Sequence, residues 1–426
     1  MSAAEPTTAV EPTPPAEPTT AVEPTPPAEP TTAVEPTPPA EASAPDSREP
    51  TIDALRALAV VGVVTGHWLV TAVVVDPVGW AVASPLRAMP ALTPLTWLLQ
   101  TLAPLFLAAG YAAFTSLGRA PRYLPWLAHR VGQAARAVGY LVAFWLPLLL
   151  VLALTGTPFA VLHRIGWYVV SPLWFLAVLV VLLALTPVLT ARTPVPVAVG
   201  SVAVVAADDL ARSGPWPVPT GVPAVLGAAA VLCGWLLPYA WGVALARTDR
   251  AEPRTGRIVR QPTGTGTGWI VRRRTGAVLV VAGAVAAVLL VAGAGYPASM
   301  VGGTGTRSNL DPPSLLQIAF AALQIGLFLL VRPWLAATAR HRWPWRPVAA
   351  VNRLAMPVYL WHQSALVLLI LCSALVAPAP GLVDAPSGPR WLLHRLCWLP
   401  AVAAVLAGLL ATVGARPRPR PRRSTR

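Results

Sequence analysis

The sequence predicts an all-α protein: a polytopic bundle of about ten transmembrane helices, set between a disordered N-terminal tail and a basic C-terminal one. Three observations carry that expectation. Hydrophobic residues fill 55% of the 426 positions and charged residues only 12%, about half the charged share of an ordinary soluble domain. From residue 52 onward, apolar runs close to the roughly 20 residues a spanning helix needs alternate with breaks rich in Arg, Pro and Gly. Those breaks hold most of the cations: the net charge is +15 and all 32 basic residues are Arg. Cations in short loops between apolar segments fit membrane orientation and contact with anionic lipid. A nucleic-acid partner, the other common meaning of a basic chain, is not expected.

The elements follow in order. Residues 1–50 form a tail in which EPTTAVEPTPPA is repeated three times over residues 5–40. Pro recurs too often for helix or strand and little is available to bury, so polyproline II disorder is expected. The basic and apolar regions of a signal peptide are missing. The membrane body spans 51–415, with runs at roughly 52–75, 93–115, 137–154, 172–190, 194–207, 222–246, 276–295, 314–335, 355–376 and 392–413. The fifth is short, begins at Pro194 and Pro196, and has the alternative of a re-entrant segment. Gly-Thr-Gly-Thr-Gly at 264–268 lacks the Lys and the preceding strand of a phosphate loop and reads as a linker. Residues 416–426 form an Arg/Pro tail. Cys233, Cys372 and Cys397 all lie in apolar stretches without metal spacing, so they read as small hydrophobes and no metal is expected.

Loop charge sets the orientation. Connections at 116–136 (Arg119, Arg122, Arg130, Arg136), 247–275 (eight Arg) and 336–354, together with the C-terminal tail (six Arg), are Arg-rich. The alternate connections carry one or two Arg each: Arg87, Arg164, Arg212, Arg307, then Arg390 with Arg395. This asymmetry predicts an even number of spans with both termini cytoplasmic. The Arg-only, Ala/Val/Pro/Gly-rich composition suggests a GC-rich bacterial genome, and hence the plasma membrane.

Chemistry concentrates in the first run. Arg56 and His67 are eleven residues apart, three helical turns, which puts them on one face about 16 Å apart along the axis. Asp53, three residues before Arg56, is placed to pair with it. The run boundaries put His67 near mid-bilayer and Arg56 at the cytoplasmic mouth. Ionisable groups inside spans usually face a cavity or a partner. An imidazole is a proton acceptor near neutral pH, and a guanidinium suits phosphates. A structural His bonded to a neighbouring helix, with Arg56 as a topology signal, remains an equal reading of these residues alone.

The motif Asp53-Ala-Leu-Arg56-Ala-Leu-Ala, with Arg followed eleven residues later by His67-Trp68, resembles the first helix of the acyltransferase-3 family. Pro104-Leu-Phe106 through Gly110-Tyr111 is similar to that family's Phe-rich segment, with Ala109 where Ser is common. His129-Arg130 and Arg136 resemble its Arg-rich entry to the third helix. Ser171-Pro172-Leu173-Trp174-Phe175-Leu176 and Asn352-Arg353 through Tyr359-Leu360-Trp361-His362-Gln363 resemble its fourth-helix start and late signature. The resemblance covers residues 50–413. It implies a membrane O-acyltransferase using acyl-CoA, acetyl-CoA foremost, as co-substrate, with no bound cofactor and a hydroxyl acceptor on a carbohydrate, envelope glycan, lipid or secondary metabolite. His67, Arg56 and Asp53 would be catalytic. Arg130, Arg136, Trp174, Asn352, Arg353, Tyr359 and His362 would bind donor or substrate, with Asn352 also a helix cap ahead of the ninth run. His362 would line the cavity opposite His67 or orient the acceptor. Asp208 and Asp209 read as an outer loop with some capacity for a polar acceptor. The alternative function is a transporter or flippase, which also uses intramembrane His and Arg.

Overall fold

The structure, a computed structural model, describes residues 49–76, 79–192, 194–214, 219, 221–251, 267–301, 308–339, 342–376 and 378–414. The repeats, the Gly-Thr segment through residue 266 and the Arg/Pro tail at 416–426 lie outside them. Among the described residues, ten helical segments are long and apolar enough to cross a membrane, one for each run in the sequence.

The first helix, α1 (Pro50–Val70), opens with Pro at its first position and Asp53 in its first turn, both favourable at a helix N-terminus. It stops at Val70, short of the expected 75. Residues Ala72–Asp76 (β1) and Gly79–Ala83 (β2) form an antiparallel hairpin instead. The valines at 73–75 are apolar enough to extend a span, but their β-branched chains favour a strand. Gly79, at φ 140°, opens β2 opposite Asp76.

The second span is broken. A short helix α2 (Pro85–Ala88) and a 3-10 turn lead to α3 (Thr93–Leu99), and α4 (Leu102–Leu117) starts only after a gap at Gln100 and Thr101. Pro104, four residues after Gln100, has no N–H to give the Gln100 carbonyl, and side chains take over part of that backbone's hydrogen bonding. Gln324 Nε2 donates to the Gln100 carbonyl at 2.6 Å, and Gln100 Oε1 accepts from Leu102 N–H at 3.0 Å. Irregular backbone at membrane depth persists where it finds such partners.

The remaining helices are α5 (Tyr123–Leu154), α6 (Phe159–Val170), α7 (Leu173–Ala191), α8 (Pro194–Ser213), α9 (Val222–Ala251), α10 (Thr267–Val288), α11 (Leu315–Thr338), α12 (Arg342–Val376) and α13 (Pro389–Gly414). Helices α6 and α7, meeting at Ser171–Pro172, make one span, and α10 finishes in a π turn. The uncertain fifth run is a continuous 20-residue helix, α8.

At their Arg-rich ends α5 and α12 run further than hydropathy indicates, starting at Tyr123 and Arg342 rather than near 137 and 355. Arg is a good helix former, so the helical hydrogen bonding continues past the point where apolarity stops. Arg130, Arg136, Asn352 and Arg353, expected in loops or at a cap, therefore sit inside helices. Asp208 and Asp209 are not an outer loop either. They lie in α8, 0% and 3% exposed. Asp208 pairs with Arg212 at 2.5 Å, and Asp209 Oδ2 accepts from the Tyr296 hydroxyl and the Leu315 N–H. Both are buried, Asp209 ties the start of α11 to α8, and the pair forms no open acceptor site.

Two features organise the packing. Helices α4 and α9 touch backbone to backbone. A Cβ at Gly110 would lie 2.1 Å from the Tyr239 carbonyl oxygen, and one at Gly242 would lie 2.0 Å from that of Leu107. Small residues permit such an approach in a setting where lipid is as apolar as the helices. Beside this seam Phe106 stacks with Trp235 and Phe175, at centroid distances of 5.1 and 4.6 Å. Outward, large aliphatic chains stand free, Leu154 80% and Val376 86% exposed, as a lipid-facing surface requires.

Candidate active site

Arg56, Val60, Val63 and His67 follow one another at helical spacing and share one face of α1. That face borders two cavities. Arg56 and Val60 line the first, Val63 and His67 the second. The broken span divides the same way, with Leu105 and Ala109 on the first cavity and Thr101 and Leu102 on the second.

The first cavity, about 560 Å³, gathers Arg56 from α1, Arg130 and Arg136 from α5, and Asn352, Arg353 and Tyr359 from α12. Arg56 pairs with Asp53 at 3.4 Å. Asn352 is no cap. From inside α12 its Nδ2 donates to the Asp53 carbonyl at 2.6 Å and to the Val348 carbonyl at 3.0 Å, joining α12 to the first turn of α1. The Arg130 guanidinium sits 5.9 Å from the Trp126 ring. Four guanidiniums brought by three helices to one concavity make a site for phosphate or carboxylate oxygens. Trp174 stands apart from it. Its side chain is 41% exposed, it packs 5.8 Å from Trp235, and it lines neither cavity.

The second cavity, about 320 Å³, forms where the gap at Gln100–Thr101 leaves room beside His67. His67 lies in the last turn of α1 rather than half-way along the span, because the hairpin takes over the residues expected to continue the helix. Behind it stands His362 of α12, fully buried and lining neither cavity. The two rings stack at 4.9 Å, and His362 Nε2 is 3.0 Å from His67 Nδ1. His362 Nδ1 is 2.6 Å from the Tyr359 carbonyl. A carbonyl only accepts, so His362 Nδ1 carries the hydrogen. In a neutral ring Nε2 is then bare and accepts from His67 Nδ1–H. His67 is left with Nε2 as its basic nitrogen.

Two further contacts fix this geometry. Trp68 Nε1 donates to the His362 carbonyl at 2.9 Å. Arg395, only 1% exposed, donates to the carbonyls of Trp68 (2.7 Å), Gly381 (2.9 Å) and Thr71. A cation on the last carbonyls of α1 satisfies orphan acceptors at the negative end of the helix dipole.

A family model described as an acyltransferase domain matches residues 49–415, which takes in every wall of both cavities. The chain belongs to the acyltransferase-3 family. No curated protein and no solved structure gives a match. In this acyltransferase-3 protein, six of the residues expected to act on donor or proton, Arg56, Arg130, Arg136, Asn352, Arg353 and Tyr359, converge on one cavity, and His67 opens on the other. Among the described residues, no three His, Cys, Asp or Glu side chains cluster as metal ligands would. Reading the sequence missed Arg395, counted there as a loop charge. The available signal was its place inside the apolar run 392–413, where a cation demands partners.

Proposed function

We propose that the chain is a membrane O-acyltransferase that moves the acyl group of an acyl-CoA, acetyl-CoA foremost, onto an acceptor hydroxyl. One observation carries this reading: a guanidinium-lined cavity and a histidine-lined cavity abut on a single face of α1. Arg56, Arg130, Arg136 and Arg353 take the donor's phosphates. The pantetheine arm then runs along α1 towards His67, a rise of about 16 Å, which an extended arm spans. Asp53 holds Arg56 in place.

His67 Nε2 accepts the proton of the acceptor hydroxyl as the oxygen bonds to the thioester carbonyl carbon. The C–S bond then breaks, and CoA leaves as a thiolate that takes up a proton. General-base assistance of this kind contributes about 10²–10⁴-fold. Acyl-CoA is made in the cytoplasm, so the Arg-rich cavity and both termini face that side of a bacterial plasma membrane, in agreement with the loop charges.

The test uses the full chain in nanodiscs with acetyl-CoA and a hydroxyl acceptor, following CoA release and acylated product. His67→Ala is expected to lower turnover by at least about 100-fold. Arg56→Ala is expected to raise the donor KM with a smaller effect on kcat. Undiminished product from His67→Ala would remove the histidine from the reaction, and transport of substrate without CoA release would favour a carrier.

A further inference from the structure

The two cavities are lined by different chemistry, and the difference bears on the acceptor. The His67 cavity is walled by aliphatic side chains, Leu86, Leu92, Leu95, Leu99, Leu310 and Leu392 among them, and no Phe, Tyr, Trp, Arg or Asn lines it among the described residues. Most of the polar side chains on its wall are already engaged. The Thr96 hydroxyl donates to the Thr93 carbonyl and accepts from Met300 N–H. Thr101 donates to the Ala59 carbonyl. Gln100 donates to Gln317 Oε1 and accepts from Leu102 N–H. Ser308 Oγ accepts from the N–H groups of Leu310 and Asp311. In the broken backbone the Gln100 carbonyl is taken by Gln324. What the described wall offers an incoming molecule is His67 and, near residues 308–311, the Ser308 hydroxyl and the Asp311 carboxylate.

We propose that the acceptor is a single hydroxyl carried on an aliphatic body, such as a hydroxylated lipid or polyketide chain, and not a free sugar. The inference rests on the acyl-transfer reading above and specifies its second substrate. A polyhydroxylated sugar entering this cavity loses water from several hydroxyls, and away from the wall at Ser308 and Asp311 the described side chains offer them few partners. Each such unpaired group costs about tenfold or more in binding. An aliphatic alcohol gains by the same burial and needs one hydrogen bond, which His67 Nε2 supplies. The volume, about 320 Å³, is at the small end of ligand sites, so it holds a small alcohol or the hydroxylated end of a longer chain.

The test presents the full chain in nanodiscs with acetyl-CoA and a panel matched in concentration: 1-octanol and a 3-hydroxyacyl methyl ester on one side, methyl glucoside and an N-acetylglucosamine disaccharide on the other. CoA release and ester product are both read. The aliphatic alcohols are expected to be acylated at least tenfold faster than the saccharides. Leu95→Trp, which fills this cavity and is not part of the guanidinium-lined one, is expected to lower the rate with the aliphatic alcohols about tenfold. Saccharides acylated as fast or faster, or CoA released with no ester formed on either alcohol, overturn the aliphatic acceptor while leaving acyl transfer standing. No CoA release with any acceptor overturns the acyl-transfer reading itself.

Discussion

A histidine acts as a base only through the ring nitrogen that lacks a hydrogen, and here a second histidine decides which one that is. The chain from the Tyr359 carbonyl through His362 to His67 runs over contacts of 2.6 and 3.0 Å and leaves Nε2 of His67 bare. His362→Ala removes the acceptor for His67 Nδ1–H and opens a hole behind the ring. The expected result is a loss of kcat on the order of 10–100-fold, within the span of a general-base contribution, with the donor KM unchanged. His362→Gln keeps a carbonyl able to accept from Nδ1 and is expected to recover part of the loss, with the pH profile of kcat/KM closer to wild type than that of the alanine variant. Steady-state kinetics across pH measures both; a glutamine variant no better than alanine would count against tautomer control. The sequence shows Arg56 and His67 as partners because their spacing lies within one helix. It shows His362 only as part of a motif. Its contact with His67 spans 295 residues and depends on how α12 packs against α1, which no local pattern encodes. Arg395 was hidden for the related reason that sequence counts a cation without revealing its depth.

Elements were more legible than residues, and their errors have physical causes. Each of the ten runs of apolar residues became a spanning segment, because length and apolarity are what a bilayer selects. Helix ends were misjudged where hydropathy and hydrogen bonding part: Arg-rich stretches stayed helical in α5 and α12, and the Val73–Val75 run turned from helix to strand. The break at Gln100–Thr101 has a sequence trace in Pro104, which has no N–H to give the Gln100 carbonyl four residues back, and is held by glutamines that arrive from α11. The seam between α4 and α9 has a sequence trace, Gly110 and Gly242, whose meaning appears only in the contact. A side chain at Gly110 runs into the Tyr239 backbone, which cannot yield as a flexible side chain would. Gly110→Val is therefore expected to destabilise the fold by about 3 kcal/mol or more, at the upper end of overpacking costs. Thermal unfolding in detergent should show a lower Tm and a poor yield. Gly408→Val in α13, where an added Cβ meets nothing within 4 Å, serves as the matched control and should unfold near the wild-type temperature.

At the scale of the whole molecule, the loop charges and the proposed donor site predict the same orientation. The Arg-rich connections alternate with Arg-poor ones along ten spans, and the cavity with four guanidiniums is built from Arg56, near the N-terminal end of α1, and from Arg130, Arg136 and Arg353, which lie in Arg-rich stretches. His67 lies three turns along α1 from Arg56, beyond the guanidinium-lined cavity proposed for the donor. If loop charge sets insertion, the end that binds the acyl donor is the cytoplasmic end, and the histidine cavity lies nearer the opposite face. Orientation then carries function, because an inverted protein would present its guanidiniums to a compartment without acyl-CoA. Reporter fusions can decide this: a tag ahead of residue 49 and one after residue 414 are both expected to read as cytoplasmic, while a fusion truncated after Ser387, between α12 and α13, is expected to read as external. The two end tags also test the number of spans, since an even count puts both on one side and an odd count separates them. If the end tags agree but read as external, the count of ten survives and the cytoplasmic donor site does not. If they disagree, one of the ten segments fails to cross, and α8, with its buried Asp208 and Asp209, is the segment whose insertion is most costly and the first to test.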